Sequence, residues 1–356
     1  MTKLKMKACR IHGVNDIKID NIPVPTISDT RDAIVKVTLS TICSSDIHYA
    51  KGDMGLPKIQ TIGHEFCGEI VDIGSDVKDL EIGDKVLAKP AFWCGECEKC
   101  EKGLFSTCSK GGCLGVPNGP EGCFAEFCRV QFADTSLTKI PNNLREEEVI
   151  MISDVLSTAY FGLTNGSIKK GDNVVIYGVG PIGMSACLLA KVMFKANKVI
   201  AVDINEDRLN VCKDQGIADV VLDASKVNIL EEIPRLCSGS GCDLVIDTIG
   251  TEDVINNCLV FTDYKGTISS IAITMQPVTI RWDLLLGKNL TLKSGAQVFD
   301  GCEEMLSLIE EGKLDLTWMN THRSSLDNII EAYEVFGNQA DGCIKWLLTP
   351  FATKTN

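Results

Sequence analysis

The sequence predicts an α/β chain in two parts, a mainly β first part and a second part built on a doubly wound parallel sheet, with a tail that returns to the first. Three observations carry this expectation. The chain has 356 residues, more than one compact core usually holds. From about residue 34 to residue 90, short apolar runs alternate with Gly, Asp, Ser and Pro, the punctuation of closely spaced strands. Beyond Asn173, continuous apolar runs that do not alternate are interleaved with helical periods, which means strands covered on both faces. The expected division is 1–152 for the β-rich domain, 153–292 for the parallel-sheet domain and 293–356 for the return.

In the first part the strands are expected at 33–39, 68–73 and 84–88. Between Trp93 and Gly122 the pattern gives way to a loop rich in Cys, Gly and Lys, and strand character resumes at 124–130. Something other than a hydrophobic core must hold that loop, whose lobe is placed at 93–112. In the second part strands are expected at 174–177, 198–203, 220–222, 243–246 and 266–272, with helices at 181–194, 206–215 and 254–261. Two amphipathic helices, about 300–311 and 325–337, and a closing strand at 343–348 make the tail.

Composition narrows the function. Hydrophobic residues are 45% and charged residues 23%, so the chain is globular and has no signature of disorder. With 35 Lys and Arg against 48 Asp and Glu, the net charge is −13. That field repels phosphate backbones and anionic lipid, which argues against nucleic-acid and membrane partners; any anion must be held by local backbone geometry. No apolar run reaches eighteen residues and the basic start is followed by no apolar stretch, so a cytoplasmic protein is expected. The seventeen cysteines are odd in number and spread from Cys9 to Cys343, a pattern for metal ligands and buried thiols more than for disulfides.

Three constellations carry chemistry. Cys94, Cys97, Cys100 and Cys108 have the spacing C-x2-C-x2-C-x7-C, with which one loop can present four thiolates to a structural zinc. A redox pair would need only two cysteines, and a ferredoxin run would end in a three-residue spacer followed by Pro. Cys43, in Cys-Ser-Ser-Asp-Ile-His, and His64, in Gly-His-Glu, offer a thiolate and an imidazole, two of the three protein ligands that a catalytic zinc needs. The residues alone leave the third donor unidentified; Asp154, which enters an apolar helical stretch, has an N-cap as its alternative reading.

The third constellation is Gly178-Val-Gly180-Pro181-Ile182-Gly183, directly after a strand and opening a helix, with Asp203 twenty residues on at the end of the next strand. Its glycines permit a tight turn and close approach of a pyrophosphate to the helix N-terminus. Asp203 is expected to accept the adenosine ribose hydroxyls and to repel a 2′-phosphate, favouring NAD over NADP. Residues 204–206 contain no Arg; Arg208, one turn into the next helix, completes the candidate cofactor-binding set.

These motifs, in this order and over nearly the whole chain, resemble the zinc-dependent medium-chain dehydrogenases, the alcohol and polyol dehydrogenase group. The resemblance implies a GroES-like catalytic domain and a Rossmann coenzyme domain. It makes Cys43, His64 and Asp154 the ligands of a catalytic zinc, with Glu65 beside it as an occasional extra ligand and Asp46 bracing the site. Many members carry Cys or Glu where this chain has Asp154. It further implies hydride transfer between an alcohol and NAD through a zinc-bound alkoxide, the proton leaving by Ser45 and the ribose hydroxyls to His48. Two zinc ions per chain and a homodimer or homotetramer follow from the same likeness.

A secondary alcohol or diol is the expected substrate, with a polyol or amino alcohol as the alternative. Phe92 and Trp93 are candidates for an apolar pocket, although adjacent residues cannot both face it. A protein that binds zinc and a dinucleotide without turnover would explain the four-cysteine lobe and the glycines. It would leave Cys43, Ser45, His48, His64 and Asp154 without a reason.

Overall fold

The computed structural model describes residues 4–55, 58–274, 276–296 and 299–351. It divides into two compact units, residues 1–154 with 302–356, and residues 155–301.

The first unit is organised by a seven-stranded sheet. Its path runs Leu137–Lys139, Lys85–Ala88, Glu65–Ile73, Ala33–Thr41, Trp346–Thr349, His322–Ser325, with Phe127–Val130 paired to Ala33–Thr41 off this path. A three-stranded sheet joins Asp16–Pro23, Lys5–Gly13 and Gln60–Thr61. Val35, Val37, Phe66, Ile70, Val86, Phe124 and Leu348 are among the apolar side chains that bury the sheet faces. Thr41 pairs with Glu65 on one side and with Leu347 on the other. The ends of three strands, and the residues just beyond them, are thereby gathered at one place.

The second unit is a six-stranded, wholly parallel sheet in the order Val220–Asp223, Lys198–Asp203, Asn173–Tyr177, Cys242–Asp247, Thr262–Ser270, Thr291–Ser294. Numbered along the chain this is 3-2-1-4-5-6, the order of a Rossmann sheet, with its crevice at the carboxyl ends where the order reverses. The helices Pro181–Val192, Glu206–Asp214, Ile229–Leu236 and Glu252–Phe261 alternate with the strands. The central strands Lys198–Asp203, Asn173–Tyr177 and Cys242–Asp247 are mostly apolar and buried because both faces are covered, whereas Thr262–Ser270 and Thr291–Ser294 carry polar residues.

Several elements depart from the sequence expectation. Thr291–Ser294 is the edge strand of the parallel sheet, so the second unit continues to Gly301, past the expected return at 293. The chain re-enters the first unit with the helix Cys302–Glu310. The four residues of Thr291–Ser294 are half-buried or exposed, so that strand carries little of the apolar signal that marks its neighbours. The hairpin Lys5–Gly13 with Asp16–Pro23 and the helix Ile229–Leu236 were not expected. The closing strand is Trp346–Thr349, starting later than the expected 343–348; Lys345, just before it, donates its N–H to the Met319 carbonyl and accepts the His322 N–H at its own carbonyl.

Candidate active site

In the four-cysteine lobe, Cys97 precedes the short helix Glu98–Glu101, and Ala91–Phe92 pairs with Gly112–Cys113 to close the loop at its base. The sulfurs of Cys94, Cys97, Cys100 and Cys108 converge: 94 to 108 is 3.5 Å, 97 to 100 is 3.6 Å, and 94 to 100 and 97 to 108 are both 3.9 Å. A tetrahedron with Zn–S of about 2.3 Å has edges of about 3.8 Å, so this donor set has the size of a zinc site. The backbone N–H groups of Cys100 and Lys99 face the Cys97 sulfur and lower its thiol to about 6, whereas desolvation raises Cys100 to about 12. Phe92 stacks on Phe132 and Trp93 on Phe105, both nearly buried, so these two rings are taken up by packing around the lobe.

The second cluster is assembled from three segments. Cys43 immediately precedes the helix Ser44–Lys51, where Asp46 Oδ2 accepts the Cys43 N–H at 2.9 Å and fixes the start of the helix. His64 follows Gly63, whose φ of +92° and contact with the Phe124 ring, 2.5 Å from where a Cβ would stand, make any other residue strained there. Asp154 follows the buried turn Ile150–Ile152 and Ser153, whose hydroxyl donates to the Ala88 carbonyl at 2.6 Å.

One ligand atom each from Cys43, His64, Glu65 and Asp154 lies within 4.8 Å of all the others. Cys43 Sγ is 3.5 Å from Asp154 Oδ2, the edge expected of a tetrahedral zinc with one sulfur and one oxygen ligand, about 3.5 Å. His64 Nε2 is 3.7 Å from the same oxygen. Burial disfavours a charged His64, yet the carboxylates of Asp46 and Asp154 outweigh it and hold its proton well above the usual histidine range. Desolvation, followed by the Asp154 charge, pushes the Cys43 thiol up. Concentrated anionic donors that draw protons to themselves are the electrostatics of a cation site, and a thiolate, an imidazole and a carboxylate suit zinc.

The remaining predicted residues fall into two groups. Ser45 Oγ stands 3.5 Å from His64 Nε2, at the rim of the cluster. His48, on the same helix, is exposed and pairs through Nδ1 with Asp53 at 2.9 Å, so it and Ser45 are not joined directly. Glu65 is fully buried and held by Lys345, whose Nζ lies 2.9 Å from both carboxylate oxygens and donates to the Ile42 carbonyl at 2.8 Å. Sequence reasoning missed Lys345. The signal was a single charged residue in the apolar run Cys343-Ile-Lys-Trp-Leu-Leu, which in a buried strand requires a partner.

In the second unit, Gly178 ends the strand Asn173–Tyr177 with φ +93°, and Gly180 caps the helix Pro181–Val192, with Pro181 at its first position and Ile182 half-buried beside it. A Cβ at Gly183 would stand 1.9 Å from the Gly178 carbonyl oxygen and one at Gly178 2.3 Å from Thr248 Oγ1, so close packing demands both glycines. At Gly180 a Cβ would meet only Arg208 Nη1, at 3.6 Å. The space over the helix N-terminus is therefore open, the cradle that a pyrophosphate requires. Asp203 accepts the Val179 N–H through Oδ2 and those of Ile204 and Asn205 through Oδ1, which aims its carboxylate at the same turn.

Residues 29–142 match the alcohol dehydrogenase GroES-like domain, and residues 181–311 the zinc-binding dehydrogenase family. An alcohol dehydrogenase of Cupriavidus necator is 32% identical, over 97% of this chain and 99% of its own. An L-threonine 3-dehydrogenase of Rhizobium etli is 30% identical, over 92% of this chain and 95% of its own. Among solved structures, the alcohol dehydrogenase TADH from Thermus sp. ATN1 has a TM-score of 0.90 at 28% identity, covering 97% of this chain and 99% of that chain.

Proposed function

Because the chain belongs to the zinc-dependent medium-chain dehydrogenases, the alcohol and polyol dehydrogenase group, we propose that it transfers a hydride between a secondary alcohol or diol and NAD. The observation that carries this reading is the convergence of Cys43, His64 and Asp154, three donors from separate segments, with the Ser45 hydroxyl beside them. The lobe of Cys94, Cys97, Cys100 and Cys108 supplies four ligands to its own metal, and so serves the fold. At the cluster with Cys43, three protein ligands leave a fourth position for substrate.

A zinc ion held there supplies Lewis-acid polarisation of the substrate oxygen. The protein does the rest. Cys43 and Asp154 provide two negative charges against a divalent cation, and Asp46 orients the His64 ring from its Nδ1 side, at 3.3 Å. Ser45 would accept the substrate hydroxyl proton while handing on its own toward His48, and a bound coenzyme would supply ribose hydroxyls for that path; Asp53 holds the His48 imidazole by Nδ1 and leaves Nε2 to exchange with solvent. In the second unit Gly178, Gly180 and Gly183 make room for the coenzyme pyrophosphate at the helix opening with Pro181, and Arg208 lines the same space. Asp203, with three N–H bonds already, keeps acceptor capacity for a ribose hydroxyl and a charge that opposes a 2′-phosphate.

An amino alcohol is the second reading, favoured by the likeness to L-threonine 3-dehydrogenase. The many free thiols suit a reducing, cytoplasmic setting, and the family resemblance suggests a homodimer or homotetramer. Among the described residues no helix is long and apolar enough to cross a membrane. The deciding experiment assays secondary alcohols, diols, polyols and L-threonine with NAD and with NADP, alongside metal analysis. Two zinc ions per chain, one of them lost in Cys43→Ser, and turnover on an alcohol are expected. A single zinc that survives Cys43→Ser, with no turnover on any substrate, would favour a binding protein.

A further inference from the structure

The ion pair of Lys345 and Glu65 is sealed from solvent, with the two side chains 1% and 0% exposed. The lysine reaches it because Leu347 pairs with Thr41, which brings Lys345 level with Cys43, while Thr41 also pairs with Glu65. Ile42 still donates its N–H to the Trp346 carbonyl, the chain then enters the helix Ser44–Lys51, and the ammonium reaches the Ile42 carbonyl as well as Glu65. All three ammonium protons are used, two on the Glu65 oxygens and one on the Ile42 carbonyl. Yet a Glu65 oxygen is also within 4.8 Å of the donor atoms of Cys43, His64 and Asp154. The carboxylate therefore stands between two cations, the ammonium and the ion that the cluster would hold.

The charges decide how it must be shared. Cys43 and Asp154 as anions balance a divalent ion, and Glu65 with Lys345 forms a second neutral set. Without the lysine, the most deeply buried carboxylate of the site loses its ammonium partner, and a metal bound at the cluster is a cation within its reach. We propose that Lys345 is a positioning residue that keeps Glu65 out of the metal's coordination sphere, and so keeps one coordination position open for substrate. This rests on the reading of the cluster with Cys43 as the catalytic metal site. The pairing is needed because the donor set already contains enough charge; a fourth protein ligand would close the site as the four cysteines close theirs.

The test uses the full-length protein with zinc, and with cobalt(II) in the site of Cys43. In Lys345→Met the cobalt visible spectrum is expected to change and to stop responding to added azide or imidazole. Removal of that zinc by dipicolinate should slow about tenfold, and turnover should fall about 100-fold. Lys345→Met/Glu65→Gln, which removes both charges, should restore the ligand response and the zinc release rate. Lys345→Gln, which keeps a donor toward Ile42, repeats the comparison if the Met variant does not accumulate. The proposal is overturned if the single variants leave the spectrum and zinc release as in the wild type, or if the double variant is as closed as the single one. A wild type with no metal bound through Cys43 would instead sink the underlying reading of the site.

Discussion

Asp46 serves two of the candidate ligands at once: Oδ2 accepts the Cys43 backbone N–H at 2.9 Å, and Oδ1 lies 3.3 Å from His64 Nδ1, within ion-pair reach but off the hydrogen-bonding direction. Closing that last gap is a small movement. Asp46→Asn keeps the shape and removes the charge that orients the imidazole. Metal affinity at the cluster should fall about 10–100-fold, with the four-cysteine zinc retained. Competition with a chromogenic chelator measures it, and unaltered affinity would reduce Asp46 to a helix cap.

The three glycines of the coenzyme turn should separate by experiment. A Cβ at Gly183 collides with the Gly178 carbonyl, so Gly183→Ala is expected to lower the melting temperature by several degrees. Gly180→Ala meets only the end of Arg208, so the fold should be kept while the added methyl occupies coenzyme space. An increase of about tenfold or more in the KM for NAD, with an unchanged melting curve, is the expected result. Equal destabilisation by both substitutions would leave Gly180 as a packing residue.

Asp203 is both a hydrogen-bond acceptor for the turn and the proposed barrier to a 2′-phosphate. Asp203→Gly should therefore relax discrimination against NADP by about tenfold or more, as a like-charge contact is removed. Losing the bonds to Val179, Ile204 and Asn205 should also cost on the order of 1–3 kcal/mol of stability. The ratio of kcat/KM for the two coenzymes reads the first effect and denaturant unfolding the second. A ratio that does not move would remove Asp203 from ribose recognition.

In the four-cysteine lobe, Cys100→Ser should release one zinc and lower the melting temperature by about 5–10 °C, while the zinc at Cys43 is initially kept. Acidity orders the thiols once the lobe is stripped of metal. Cys97, lowered to about 6, is mostly thiolate at neutral pH, and Cys100, raised to about 12, is a thiol there. Iodoacetamide at pH 7 should label Cys97 first, at a rate that rises with pH through about 6 and then levels. Zinc binding should release protons, Cys100 giving up its own, so apparent affinity falls as the pH is lowered. Peptide mapping after labelling tests the order, and equal labelling of all four would mean that the metal-free lobe does not keep this geometry.

The parallel-sheet unit was largely legible because its strands are buried on both faces and its glycine turn lies between an apolar strand and a helix, so pattern and spacing agree. The four-cysteine lobe was legible because its donors are close in sequence. The helix Ser44–Lys51 was not: in its eight residues, about two turns, only Asp46, Ile47, Tyr49 and Ala50 are buried, too few to print a helical period. Asp154 entered as a ligand through resemblance alone, since no local pattern tells a ligand carboxylate from a cap. Lys345 was invisible as a site residue because its meaning depends on Glu65, 280 residues away.

Trp346–Thr349 lies inside the seven-stranded sheet, and the Thr41 hydroxyl donates to the Trp346 carbonyl across 305 residues of sequence. At about 5–20 residues per second, a ribosome takes on the order of 15–60 s to cover that interval. Residues 155–301 can acquire their structure during this wait, whereas the Ser40–Thr41 end of Ala33–Thr41, beyond the part covered by Phe127–Val130, keeps an open edge until residues 346–349 are made. The edge at Ser40 and Thr41 is thus exposed for as long as the intervening residues take to be made, and losing Trp346–Thr349 would take from His322–Ser325 its neighbour on the path to Ala33–Thr41.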